Sequence, residues 1–114
     1  MLTLILALLS HNPAHAAREL HCRDVKAGPD HGYYAVVQGL SSADVTSQSI
    51  MGPRPVARLR CVVPRNVRIP GRPHLIALCS NPEGWMLYLR ANAQNGREAT
   101  LARGERNVAM LNCR

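Results

Sequence analysis

The stretch GPRPVARLRC at residues 52–61 recurs as GERNVAMLNC at residues 104–113. Six of the ten positions are identical, whereas two unrelated stretches would share roughly one. In both stretches the residues two and four positions before the final cysteine are leucine and alanine, an alternation typical of a β-strand with one face in a core. The sequence therefore predicts a closing strand in each stretch, with these residues facing inward: Ala57, Leu59, Cys61, Ala109, Leu111 and Cys113.

The same offset of 52 residues aligns a second pair of segments, YYAVV at 33–37 and WMLYL at 85–89. Each follows a glycine, and each predicts a strand whose inward residues are Tyr33, Ala35 and Val37 in one and Trp85, Leu87 and Leu89 in the other. Cys22 aligns with Cys79 if five residues are dropped from the second copy. We therefore predict two tandem β repeats, 17–61 and 75–114, joined by a connector at 62–74. The alternative is chance similarity between short strands.

The fold class follows from combining the two copies. Residues 97–102 alone are compatible with a helix, but the corresponding residues 44–50 are rich in β-branched and small polar side chains. Copies of one unit share one structure, so both segments are predicted to be strands. The sequence thus predicts a single compact all-β domain of seven or eight short antiparallel strands. It forms either a small sandwich or a closed barrel with pseudo-twofold symmetry, and closure removes exposed strand edges.

The cysteine count indicates a disulfide framework. The chain has four cysteines, Cys22, Cys61, Cys79 and Cys113. No two of them have CxxC spacing, and no i,i+4 pairing of His21, His31 and His74 favours zinc. No metal or cofactor is expected. Because each repeat begins and ends with a cysteine, we predict one bridge inside each repeat, Cys22–Cys61 and Cys79–Cys113. The other two connectivities stay open.

The N-terminus has the pattern of a secretory signal. Leu2–Leu9 is an apolar run of eight residues, and Ala14-His15-Ala16 follows with small residues at a signal-peptidase site. Such a run is too short to cross a bilayer as a helix. Residues 1–16 are therefore predicted to be a signal peptide, and the protein to be secreted or periplasmic. A buried N-terminal helix is the alternative.

Charge is concentrated in the connector. The chain carries 14 basic and 7 acidic residues, a formal net charge of +7. Within 62–74 lie Arg65, Arg68 and Arg72 with no acidic residue, and His74 ends the segment. These four are candidate binding residues for an acidic protein or an anionic polymer, the alternative being a solvated loop. No aromatic residue lies between Arg65 and Arg72 to stack on bases, so nucleic acid is not an expected partner.

Two further residue sets recur between the copies. Gly52 and Arg54 align with Gly104 and Arg106, immediately before the closing strands, and we interpret all four as structural. The aromatic residues also lie at aligned segments. They are interpreted as core anchors, with an exposed recognition patch as the alternative: Tyr33, Tyr34, Trp85 and Tyr88.

The sequence favours binding over catalysis. It contains neither GxSxG nor HExxH, and it has no free cysteine if both bridges form. Glu83, Glu98 and Glu105 have no spacing typical of an acid/base pair. We predict a small secreted disulfide-stabilised binding protein, an inhibitor or recognition module for another extracytoplasmic protein. The alternatives are an anionic-polymer binder acting through the connector, or a structural envelope protein without a discrete ligand. No membrane span is expected, and the oligomeric state stays open.

Overall fold

The computed structural model describes residues 19–26, 31–64, 75–92, 94 and 96–114. The predicted signal segment, residues 1–16, and the four candidate binding residues of the connector lie outside this part of the chain. The described residues form eight strands. The strands are β1 (Glu19–Asp24), β2 (Gly32–Gln38), β3 (Ser42–Gln48), β4 (Arg54–Val62), β5 (Leu75–Ser80), β6 (Trp85–Ala91), β7 (Arg97–Arg103) and β8 (Arg106–Cys113).

Each strand pairs antiparallel with the next, and β8 pairs with β1, so the sheet closes into a barrel. The all-β prediction is confirmed, and the barrel rather than the sandwich is the architecture found. Residues 97–102 lie in β7 as predicted, and residues 44–48 lie in β3, but Ser49 and Ile50, also predicted to be strand, lie beyond its end. Because the sheet is closed, every strand in it has two hydrogen-bonded neighbours and none is left as an edge.

The core is aliphatic and fills the inside of the barrel. Inward and outward residues alternate along the strands, and the largest fully buried side chains are leucines: Leu59, Leu87, Leu89, Leu101 and Leu111. No polar or charged side chain is buried in the described residues. The predicted inward residues of the four repeated strands are buried or, for Tyr33, Ala57 and Ala109, partly buried against this core. The period-two pattern therefore identified the core correctly.

Two aromatic residues close one end of the barrel. Tyr33 lies near the start of β2 and Trp85 at the start of β6, and their ring centroids are 6.2 Å apart. The Arg103 guanidinium lies 5.2 Å from the centre of the Trp85 ring, within cation–π range. The aromatic positions aligned by the 52-residue offset thus meet in space, whereas Tyr34 and Tyr88, half-buried, alternate with buried residues and face outward.

The predicted disulfide pairing is wrong. The bridges are Cys22–Cys113 and Cys61–Cys79. The reason is the closed topology: β1 neighbours β8 and β4 neighbours β5, and in each pair the two cysteines lie directly opposite each other with Cα atoms 3.9 Å apart. Cys22 and Cys61 lie on strands that are not neighbours. Both bridges therefore join the first half of the barrel (β1–β4) to the second half (β5–β8).

The strand pairings can be compared between the halves. Val45 lies opposite Ala57 in the first half, and Leu101 lies opposite Ala109 in the second. In both halves a register shift follows at once, after Val45 and after Leu101. One irregularity is not matched: a register shift lies between Leu75 and Ala77, whereas the β1–β2 pairing is regular. The agreement is compatible with duplication, which stays a prediction.

Candidate functional site

The connection between β3 and β4 presents two apolar side chains to solvent. Ile50 is 79% exposed and Met51 is 88% exposed, the largest values among the described large hydrophobic residues. Apolar side chains at such exposure contribute little to the core, and two adjacent ones are candidates for a contact surface. We refer to Ile50 and Met51 as the hairpin tip.

Local hydrogen bonds hold the hairpin tip in one conformation. The Gly52 amide donates to the Ser49 carbonyl at 2.9 Å, which closes a four-residue turn around the two apolar residues. The Ser49 hydroxyl donates to the Gly52 carbonyl and accepts from the Met51 amide, both at 3.1 Å. Gly52 has a φ of +103°, a conformation that residues with a side chain rarely adopt. The tip is therefore a preformed knob.

The second half has no equivalent of this tip. Twelve positions separate Val45 from its partner Ala57, whereas eight separate Leu101 from Ala109. The β7–β8 turn is correspondingly short and carries the exposed Glu105. The sequence predicted a strand over residues 44–50, which includes Ile50, and so the tip was missed. The available signal was two apolar residues placed between Ser49 and a turn glycine.

A groove lies on the outer surface where β4 meets β5. We call it the β4–β5 groove; its volume is about 670 Å³ and its lining residues are Ser41, Ser42, Arg58, Leu59, Arg60, Ser80, Asn81 and Pro82. None of the described residues that line it is acidic. Arg60 lies directly opposite Ser42 on β3 and directly opposite Ser80 on β5, so these three form a row across neighbouring strands.

The two arginines of the β4–β5 groove differ in their partners. Arg58 Nε donates to Asp44 Oδ1 at 3.1 Å, a cross-strand pair on the solvent side. The Asn81 side-chain amide donates to the Arg58 carbonyl at 3.5 Å. The Arg60 side chain, by contrast, makes no hydrogen bond or ion pair to another side chain or carbonyl within the described part of the chain. The donors of Arg60 therefore face solvent.

A second groove, of about 530 Å³, lies at the β1–β8 junction and includes His21, Arg23, Asp24 and Asn112 in its lining. His21 Nδ1 hydrogen-bonds the Tyr34 hydroxyl, and its Nε2 lies 3.3 Å from Glu19 Oε1. The Arg23 guanidinium lies 5.4 Å from the centre of the Tyr34 ring.

The order of carboxylate, imidazole and hydroxyl in this cluster resembles a nucleophile–base arrangement. However, the Glu19 and His21 side chains are each 43% exposed on the outer surface, which is a solvated setting and not the water-excluded one that favours such chemistry. In the described ranges no three His, Cys, Asp or Glu side chains lie close enough together to hold a metal ion. The cluster therefore supports neither a catalytic nor a metal assignment.

The other residues singled out from the sequence lie either at the starts of β4 and β8 or outside the described residues. Gly52 and Gly104 both adopt positive φ, +103° and +62°, directly before β4 and β8. Arg54 and Arg106 are the first residues of those strands and are exposed. Neither guanidinium bonds a carbonyl or carboxylate among the described residues. Arg65, Arg68, Arg72 and His74 lie outside the described residues.

The fold and the bridges define the chain as a small, disulfide-bonded, antiparallel β-barrel. No protein-family model, curated protein or solved structure matches it. In the residues that the structure covers, no helix has the length and apolarity to cross a membrane. Function is therefore inferred from the hairpin tip and the grooves.

Proposed function

We propose that the protein is a secreted or periplasmic binding protein that recognises another extracytoplasmic protein by placing the hairpin tip in an apolar pocket of that partner. The observation that carries this proposal is the near-complete exposure of Ile50 and Met51 on a hydrogen-bonded turn. Single exposed apolar residues are common, but two adjacent ones on a preformed knob are a feature of contact surfaces.

The free energy of burying two apolar side chains is enough for a small contact site. Full burial of one such side chain contributes roughly 1.5–3 kcal/mol, so the two together can supply the centre of an interface. The turn is already closed by the Ser49 and Gly52 hydrogen bonds, so little conformational entropy is lost when a partner covers it.

The proposed location rests on two supports. Two disulfides are characteristic of proteins that fold in an oxidising compartment. The sequence of residues 1–16 has the pattern of a secretory signal. Partners are therefore sought outside the cytoplasm.

The shape of the tip narrows the mode of binding. Peptide segments that add to a strand edge are extended, with alternate side chains pointing to opposite sides. Ile50 and Met51 instead occupy the middle of a closed turn, which presents both side chains on one convex surface. We therefore propose that the tip acts as a plug in a concave site. If the partner is an enzyme, inhibition follows from covering the mouth of its cleft, and the proposed role is binding and not catalysis.

The test compares two pairs of exposed apolar residues. The oxidised protein is immobilised and used to isolate a partner from the extracytoplasmic fraction of the source organism, and the affinity for that purified partner is then measured. Ile50→Ser/Met51→Ser is expected to weaken binding more than tenfold. The control is Val62→Ser/Val63→Ser, because these neighbouring valines are 57% and 53% exposed. The control is expected to bind normally; an unchanged affinity for the tip variant would contradict the proposal.

A further inference from the structure

We infer that the β4–β5 groove is a binding site for a tetrahedral oxyanion, phosphate or sulfate, carried on a polyanionic chain. The site is separate from the hairpin tip. The central group is Arg60, whose guanidinium lacks a partner among the described residues. Its neighbours across the sheet are Ser42 and Ser80, one on each side.

The row of three side chains matches the geometry of such a group. Neighbouring strands are about 4.8 Å apart, so an anion bound over Arg60 lies within reach of a hydroxyl on either side. A guanidinium donates two parallel N–H bonds to two oxygens of a phosphate or sulfate. The two serine hydroxyls can donate to the remaining oxygens, which a carboxylate does not have. Three adjacent strands therefore supply donors to one tetrahedral ligand.

The local charge also favours an anion. No carboxylate contributes to the described lining of the β4–β5 groove, and that of Asp44 on β3 is paired with Arg58 at 3.1 Å. The groove is open to solvent, so one bound group gains only a modest free energy.

A chain of oxyanion groups suits this site better than a single one. Several weak contacts on one ligand add through effective concentration. Arg58 lies two residues before Arg60 on β4 and its side chain is 78% exposed, so a second group on the same chain can meet a second arginine.

The β1–β8 groove provides an internal comparison. At the 52-residue offset Asn112 corresponds to Arg60, and Asn112 lies opposite Arg23 on one side and Glu98 on the other. Asp24 also lines this groove, and Glu19 lies beside His21. An oxyanion there meets carboxylates, so the inference applies to the β4–β5 groove alone.

The experiment titrates the full oxidised protein with orthophosphate and, separately, with a short polyphosphate at low ionic strength, following amide chemical shifts and the heat of binding. Arg60→Gln is expected to weaken polyphosphate binding at least about fivefold. Arg106→Gln removes the same charge from an exposed position on β8 and is expected to weaken binding less than twofold. Ser42→Ala/Ser80→Ala, which leaves the net charge unchanged, is expected to weaken it about threefold.

The outcomes separate the sources of the ligand. Saturable shifts at Ser42 and Ser80 with both probes support a site that also takes the free anion, whereas shifts with polyphosphate alone support a polymer-specific site. Equal losses for Arg60→Gln and Arg106→Gln would overturn the inference, because they would mean attraction to net charge only. If neither orthophosphate nor polyphosphate binds, the inference is also overturned. The Ile50→Ser/Met51→Ser variant is expected to bind polyphosphate normally, so this inference and the tip proposal fail separately.

Discussion

The two halves of the barrel share a pattern of inward apolar residues but carry different residues on their outer surfaces. One row of outward residues crosses the first half at β1, β2, β3 and β4: His21, Val36, Asp44 and Arg58. The row at the corresponding pairings crosses the second half: Leu78, Tyr88, Thr100 and Met110. The first row contains an aspartate, an arginine and a histidine, whereas the second contains no acidic, basic or histidine residue. The interior of a closed barrel restricts residue type, whereas its exterior is free to diverge.

The inward faces also differ, but only in size. Ala35, Val37 and Val45 line the first half, and at the corresponding pairings Leu87, Leu89 and Leu101 line the second. All six are at most 1% exposed. Larger side chains from one side compensate smaller ones from the other within a barrel that contains no phenylalanine. The halves are therefore complementary and not interchangeable.

The largest expected effect distinguishes the two bridges that join the halves. Cys22 and Cys113 are separated by 91 residues, and Cys61 and Cys79 by 18. In the chain-entropy model, Cys22→Ala/Cys113→Ala costs about 5 kcal/mol and Cys61→Ala/Cys79→Ala about 3 kcal/mol. Urea unfolding of both double variants measures the difference. Peptide mapping of the oxidised protein checks the pairing itself, and a Cys22–Cys61 peptide would refute it.

The next effect tests the complementarity of the inward faces. Leu87→Ala, which makes β6 match Ala35 of β2, is expected to cost about 3 kcal/mol through lost burial and a cavity. Ala35→Leu is expected to cost about 1–3 kcal/mol through overpacking. Denaturant unfolding measures both. Met86→Ala, on the outward side of the same strand, serves as the control and is expected to change stability by less than about 1 kcal/mol. A stabilised Ala35→Leu protein would show that the first half is underfilled.

A smaller effect on stability is expected from substitutions in the turns that precede β4 and β8. A side chain at Gly52 would meet no atom within 4 Å, and the same holds at Gly104, so only backbone conformation matters. The φ of +62° at Gly104 is near the left-handed helical region, whereas +103° at Gly52 is not. We expect Gly104→Asn to cost less than about 1 kcal/mol and Gly52→Asn about 1–2 kcal/mol, measured by thermal unfolding. Equal costs would be evidence against this reading of the two turns.

The smallest effect concerns the cross-strand ion pairs of the halves. Arg90 and Glu98 are 15% and 30% exposed, their atoms Nη2 and Oε2 are 2.8 Å apart, and Thr100 accepts a further bond from Arg90 at 2.8 Å. Arg58 and Asp44 are 78% and 40% exposed. Glu98→Gln is expected to cost about 1 kcal/mol and Asp44→Asn close to zero. Double-mutant cycles with Arg90→Gln and Arg58→Gln measure each coupling, and a larger coupling for Asp44 would reverse the expectation.

Much of the fold could be predicted because strand periodicity reports burial directly. Leu59 and Leu111 were placed inward by alternation alone, and both are 1% exposed. The disulfides could not be predicted in the same way, since a repeat relates each cysteine to a copy of itself and says nothing about which strands are neighbours. Only closure brings Cys22 of β1 opposite Cys113 of β8.

The candidate site was harder to predict for a related reason. Ser42, Arg60 and Ser80 come from three strands, and their alignment depends on register across the β4–β5 junction. A long connector separates β4 from β5 in the sequence, and no local sequence signal sets the register between these two strands. Ile50 and Met51 were within reach of sequence reasoning, but a hydrophobic residue is assigned by default to a core.

Each bridge joins a residue that precedes the connector to one that follows it, so two disulfides link the two halves of the chain in addition to the connector itself. A single cleavage between residues 65 and 74 would release no fragment: the molecule would gain one water in mass, and only a reducing gel would separate the two polypeptides. A protease that cleaves this segment once would therefore leave the barrel assembled, with two new chain ends in the sequence between β4 and β5.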